Sequence, residues 1–176
     1  MFKLKGIHMT LIYKKIKESD KEQLFHLIDV VLKGLANPDY FIPYEQWELE
    51  HMFDDVNYAP LYGAYDGNKL VGMAQLYVSQ DMLADFKKEY GLTKYKVCEL
   101  GGNLVLPEYR GRGITTALQT IELNLAKDLG FDYIIAMAHP DNLGSSKTVE
   151  KIGLEFVKET TLSNGFLRKL YMKKLK

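Results

Sequence analysis

The run Asn103-Leu-Val-Leu-Pro-Glu-Tyr-Arg110-Gly-Arg-Gly-Ile-Thr-Thr-Ala-Leu118 has the residue types and spacing to hold an anion. An extended apolar segment reaches Pro107, a turn follows with glycine at 111 and 113, and a helical pattern begins directly after it. A helix N-terminus carries unpaired amides and the positive end of the helix dipole, and glycines let a phosphate approach those amides closely. The run lacks the GxxxxGK[ST] of a nucleotide P-loop. It also lacks GxGxxG with an acidic partner about 20 residues on, which a dinucleotide ribose site would need. An anion cradle outside both nucleotide classes is the expectation.

Periodicity supplies the elements that must position this cradle. Thr10 to Lys17 alternates like an edge strand, and Ser19 with Glu22 predicts a capping box opening a helix whose apolar face is Leu24, Leu27, Ile28, Val31, Leu32 and Leu35. A shorter helix is expected over Tyr44 to Phe53. Leu61 to Tyr65 and Lys69 to Val78, joined by Asp66-Gly-Asn68, read as a hairpin. After a helical excursion from Asp81 to Tyr90, a strand from Lys94 to Leu106 feeds the cradle. The helix after Gly113 ends at Gly130, and the buried-looking strand Phe131 to Ala138 implies a right-handed parallel crossover. A helix over Asn142 to Ile152 and a hairpin of Leu154 to Leu162 with Phe166 to Leu175 complete an α/β (α+β) mixed sheet with one parallel pair.

Val105-x-Pro-x-Tyr-Arg-Gly-x-Gly-Ile114 closely resembles motif A of the GNAT superfamily, the acyl-CoA-dependent N-acetyltransferases, whose pattern is Gln/Arg-x-x-Gly-x-Gly/Ala. Asn142 followed by Val149-Glu-Lys-Ile-Gly153-Leu-x-Phe156 is similar to a second signature of the family at the usual distance. The resemblance covers roughly residues 10 to 175, read as a single N-acetyltransferase domain behind a 1–9 extension in which Met9 offers an alternative start. It implies the GNAT fold with acetyl-CoA as cosubstrate. Arg110 and the amides of Gly111, Arg112, Gly113, Ile114, Thr115 and Thr116 would hold the pyrophosphate of CoA. The backbone of Leu104 and Val105 would pair with pantetheine, and Asn142 would contact the cofactor from the other side. Thr115 stands where the family prefers Gly or Ala, which keeps the amide and adds bulk.

Acetyl transfer to an amine needs a neutral amine, a polarised thioester carbonyl and a proton for the departing thiolate. Many family members use a tyrosine for the last task. The matching position here is Val149, so the donor is another group such as Tyr171, the thiolate leaves unprotonated, or catalysis has been lost. Glu99, eleven residues before Arg110, is similarly placed to the glutamate base of histone-acetylating relatives; the competing reading pairs it with Lys94 or Lys96. His139, two residues past Met137 on the second cleft strand, is the other base candidate, or a loop residue capping the next helix. Tyr40, Phe41, Tyr44 and Trp47 fall where the family places its acceptor helices, and read as pocket wall or as packing. Asp54, Asp55, Glu45, Glu48 and Glu50 would favour a cationic amine, or are a solvated face.

Composition removes other classes. Of 176 residues, 23 are Lys or Arg and 23 Asp or Glu, with arginine only at 110, 112 and 168, so no basic field draws nucleic acid. Cys98, the single cysteine, allows no intramolecular disulfide, reads as a small buried hydrophobe and fits a reducing, cytoplasmic setting. With four histidines and no CxxC, no metal site is expected. The longest apolar run, Tyr133 to Ala138, is far below the roughly 20 residues of a membrane span. The strand at Thr10 to Lys17 and the last hairpin offer edges to a second copy, so monomer and homodimer both stand. The reading is acetyl transfer to a primary amine of a small molecule or peptide, by direct attack in a ternary complex. The alternative is a non-catalytic acyl-CoA-binding or regulatory module of the same fold.

Overall fold

The computed structural model describes residues 10–176; the 1–9 extension and the Met9 start lie outside the described residues. Seven strands form one sheet in the order β1-β2-β3-β4-β5-β7-β6. They are β1 Ile12–Lys15, β2 Leu61–Asp66, β3 Lys69–Tyr77, β4 Val97–Val105, β5 Tyr133–Ala138, β6 Glu155–Thr161 and β7 Leu167–Lys174. The helices are α1 Lys21–Lys33, α2 Gln46–Glu50, α3 Ala84–Glu89, α4 Ile114–Asp128 and α5 Leu143–Lys151. Only β4 and β5 run parallel, as the strand, helix, strand pattern requires; every other neighbour is antiparallel.

Local chemistry departs from expectation in a few places. The Ser19 capping box is not made: α1 is preceded by a 3₁₀ turn, Glu18–Asp20, and its N-cap Asp20 makes no side-chain cap. The Asp20 carboxylate instead accepts from the Lys17 amide at 3.2 Å and the Tyr65 hydroxyl at 2.9 Å, and this tertiary bond takes the chain end of α1 away from the local motif. The short helix expected over Tyr44 to Phe53 is regular only at Gln46–Glu50. β4 starts at Val97, because Tyr95 closes a turn onto the Leu92 carbonyl and the Asp132 carboxylate takes the Lys96 amide at 2.8 Å.

The core lies on both faces of the sheet. At one end α1 and the start of α4 contribute Leu24, Leu27, Val31, Ile114 and Leu118 around Met73, Leu104 and Val105. Towards β7, α4 and α5 cover Cys98, Leu100, Ala136 and Tyr171 with Leu123, Ala126 and Val149. A smaller cluster on the opposite face gathers Val97, Ile135 and Leu170 under Leu83 and Leu92. Because side chains alternate along a strand, Glu99, Met137 and Met172 belong to that same opposite face. Among the described residues no helix is long and apolar enough to cross a membrane.

Candidate acyl-CoA cleft

β4 and β5 stop pairing at Leu100 and Ala136, although β4 continues to Val105 and β5 to Ala138. The cause sits in β4 itself. Its register with β3 slips between Met73 and Gln75, and Gly102 there has φ +57°, a left-handed conformation glycine tolerates at little steric cost. A side chain at 102 would meet the Gln75 Oε1 and the Tyr44 hydroxyl. The bulge turns the end of β4 away from β5, leaving a gap in mid-sheet lined with strand backbone that a third extended chain can match.

A cleft of about 560 Å³ opens at this gap. Its walls are Asn103, Leu104 and Val105 of β4, the turn at Tyr109, Arg110, Gly111 and Gly113 with Ile114, Thr115 and Thr116 after it, the start of α5 at Asn142, Gly144, Ser145 and Thr148, and the α1 side at Val31, Leu35, Ala36, Tyr40 and Phe41. Gly111 and Gly113 have φ +75° and +76°, and open space lies where a side chain on either would stand. Gly113 is the N-cap of α4 and no side chain caps that helix. The first α4 amide to find a carbonyl is that of Ala117, on Gly113 at 3.0 Å. The amides from Gly111 to Thr116 therefore lack described protein partners and line an open cleft, as a pyrophosphate cradle must.

Nearly all the residues expected at the cofactor are brought together here. Arg112 is the exception: its guanidinium bonds the Glu108 carbonyl at 2.9 Å and lies over the Tyr109 ring, outside the cleft lining. Arg110 lines the cleft with its Nε donating to the Val105 carbonyl at 3.3 Å. The Asn142 oxygen is spent as N-cap of α5, accepting from the Ser145 amide at 3.1 Å, which leaves the amide group of that side chain as the donor facing the cleft. Asn103 Oδ1 is buried without a described partner in the same wall, an acceptor suited to an amide N–H of an extended ligand. These groups fit the anionic and amide parts of acyl-CoA.

The catalytic candidates separate. Glu99 is half-buried, is not among the residues lining the cleft, and stands opposite Tyr77 and Ile135; burial pushes its carboxyl up to about 7. Neither lysine neutralises it: Lys96 bonds the Leu129 carbonyl, and Glu99 is in none of the ion pairs among the described residues. His139 sits beside the cleft wall, its ring 5.4 Å from that of Tyr40 and its Nδ1 accepting from the Asp141 amide at 3.2 Å. Tyr171 is packed in the α4/α5 core edge-on to Phe156, away from the cleft. Val149 is in that core too, and its neighbour Thr148 is the α5 residue that lines the cleft at this level, its hydroxyl donating to the Gly144 carbonyl at 2.8 Å.

Of the aromatic candidates, Tyr40 and Phe41 line the cleft. Tyr44 stands behind Phe41, its hydroxyl donating to Gln75 Oε1 at 2.6 Å beside the Gly102 bulge. Tyr77 donates to the same oxygen at 3.2 Å, and burial holds both phenols well above their ordinary pKa, as proton donors. Trp47 is turned outward, bonded to Glu45 and packed edge-on to Tyr58. The acidic residues expected to draw a cation are engaged elsewhere: Glu48 with Tyr58, Glu50 with Gln46, Asp54 with Asn57 and Asp55 with Lys15. Sequence reasoning missed Asn103, Thr148 and the bulge. Gly101-Gly102 within an apolar strand was the available signal for the bulge. Cys98 is buried and its thiol is pushed up by that burial, so it behaves as core.

The splayed parallel strands and the cradle define an acyl-CoA-dependent transferase class. Residues 30–154 match the Acetyltransferase (GNAT) family, and the chain belongs to it. No curated protein matches the chain at sequence level. Among solved structures, the fold is similar to that of an N-acetyltransferase from Staphylococcus aureus Mu50 (TM-score 0.73, 18% identity, 95% of this chain and 99% of the other). It is also similar to a chain in the NatC complex bound to Gag peptide and CoA (0.73, 17%, 96% and 100%). A third is YncA of Salmonella typhimurium with its cofactor acetyl-CoA (0.68, 13%, 94% and 94%). At these identities the likeness is one of fold.

Proposed function

We propose that this acetyltransferase moves an acetyl group from acetyl-CoA to a primary amine of a small molecule or peptide, in a ternary complex in the cytoplasm. The observation that carries this reading is the row of unpartnered amides from Gly111 to Thr116 at the mouth of the β4/β5 gap. Bound acetyl-CoA supplies the electrophilic thioester carbonyl. Leu104 and Val105 offer strand backbone to the pantetheine, Asn103 and Asn142 offer an acceptor and a donor, and the helix ends of α4 and α5 favour negative charge.

An amine reaches the gap from the Tyr40 and Phe41 side. Glu99, with its carboxyl near 7, would take the amine proton at physiological pH through an intervening water, since it is not itself among the cleft-lining residues. His139, at the wall, is the second candidate for the same task. Tyr44, with its hydroxyl beside the Gly102 bulge, is a phenol candidate for proton donation, whereas Tyr171 is packed in the α4/α5 core.

Calorimetric titration and thermal shift with acetyl-CoA, CoA and a longer acyl-CoA test the cofactor reading, and thiol release over an amine panel tests transfer. Stabilisation by acetyl-CoA with amine-dependent thiol release is expected. Binding without turnover on any amine would favour the second reading, a non-catalytic acyl-CoA-binding module, which Val149 in the core supports by placing no donor at that position.

A further inference from the structure

Arg168 is the least satisfied cation in the described structure. It is 3% exposed, its Nη1 donates to the Leu167 carbonyl at 2.8 Å, and its Nη2 is buried with no partner among the described residues. No carboxylate of the described residues lies within ion-pair distance of it, and residues 1–9 contain no Asp or Glu. A buried guanidinium stays charged and is costly without a counter-ion, so an anion in its neighbourhood would be favoured strongly.

Its place in the fold is beside His139 and the Tyr40 turn, adjoining the cleft through Tyr40 but not itself among the lining residues. Ala138 pairs with Lys169 and Met137 with Leu170, so continuing the register by one step sets His139 beside Arg168 on the face of Glu99 and Leu170. His139 is against the Tyr40 ring, Tyr40 lines the cleft, and its hydroxyl reaches the Asp141 carbonyl at 3.4 Å. Asp39, on the same turn as Tyr40, is the carboxylate whose field acts on Arg168, from beyond ion-pair range. Phe166 closes the other side, its ring 5.1 Å from the guanidinium carbon.

We infer that Arg168 is the binding residue for a carboxylate carried by the amine acceptor, making the substrate an amino acid or a peptide with a free carboxyl group near its amine. This rests on the acetyltransferase reading above. A single free guanidinium nitrogen beside Asp39 suits a monoanion; a phosphate dianion would need more donors and would be repelled more strongly by that carboxylate. His139, whose Nδ1 accepts from the Asp141 amide, has Nε2–H left to donate to the same carboxylate, and the rings of Tyr40 and Phe166 flank His139 and Arg168 respectively.

The test is titration of the CoA-loaded protein with N-acetylglycine and N-acetyl-glycylglycine, each against its C-terminal amide, which separates a free amino acid from a peptide terminus. At least tenfold tighter binding of one carboxylate over its amide is expected, falling below twofold in Arg168→Met, while CoA affinity is unchanged and the melting temperature rises as an unpaired buried charge is removed. Should that variant not fold, Asp39→Asn, at an exposed position, is expected to tighten carboxylate binding at least twofold. Equal binding of acid and amide, a preference that survives Arg168→Met, or no effect of Asp39→Asn overturns the inference while CoA binding leaves the acetyltransferase reading standing. A wild-type protein that does not bind CoA overturns both.

Discussion

Replacing Glu99 by glutamine separates its proton-accepting role from a packing role. The carboxyl has an ordinary value of 4.5 and is held at about 7 by burial alone. The folded state then binds the proton more tightly than the unfolded chain, so stability falls as pH rises from 4.5 to 7 and the loss is complete above 7. That difference corresponds to about 3 kcal/mol, or roughly 6–12 °C in a protein of this size. Glu99→Gln removes the titration. The variant should match the wild type near pH 4.5 and melt several degrees higher at pH 8, as followed by differential scanning calorimetry across that range. Thiol release should drop by about 10²–10⁴-fold if Glu99 accepts the amine proton, and the wild-type rate should climb with pH through about 7. A melting difference that is constant with pH would show the carboxyl is not held protonated. Unchanged turnover would transfer the base role to His139.

Other residues give independent checks. Gly113 sits at φ +76° with open space beside it, so Gly113→Val should cost about 1–2 kcal/mol in stability and weaken CoA by at least tenfold; calorimetry that finds CoA binding intact would refute the cradle. Glu122 on α4 is fully buried, both its oxygens lack described partners, and burial pushes its carboxyl well up. Glu122→Met should therefore raise the melting temperature more at pH 8 than at pH 5, and equal gains would show that its charge is not the cost. Leu118→Ala, deep in the α4 contact with β3, should lose about 2–5 kcal/mol in urea unfolding without altering the motif turn. Tyr44→Phe deletes the hydroxyl on Gln75 and should slow transfer while leaving CoA affinity within twofold; parallel losses in both would make Tyr44 structural.

The sequence by itself determined the element order, the parallel crossover and the cradle, because each is written in local chemistry. Apolar period marks α1 and α4, turn residues mark the β2/β3 and β6/β7 hairpins, and Gly111 and Gly113 fall before a helix that nothing caps. Tertiary structure decided what those elements face. Asp20 abandons the local helix start for Tyr65, the acidic residues around α2 bind their own neighbours, and Tyr171 turns into the core since the β7 register puts it on the α4/α5 side. Arg168, one residue pair beyond the last β5/β7 contact and 29 positions from His139 in the chain, meets that histidine only through sheet pairing. Periodicity tells which side of a strand a residue takes; which element covers that side, and so which charge goes unmet, is fixed by contacts distant in sequence.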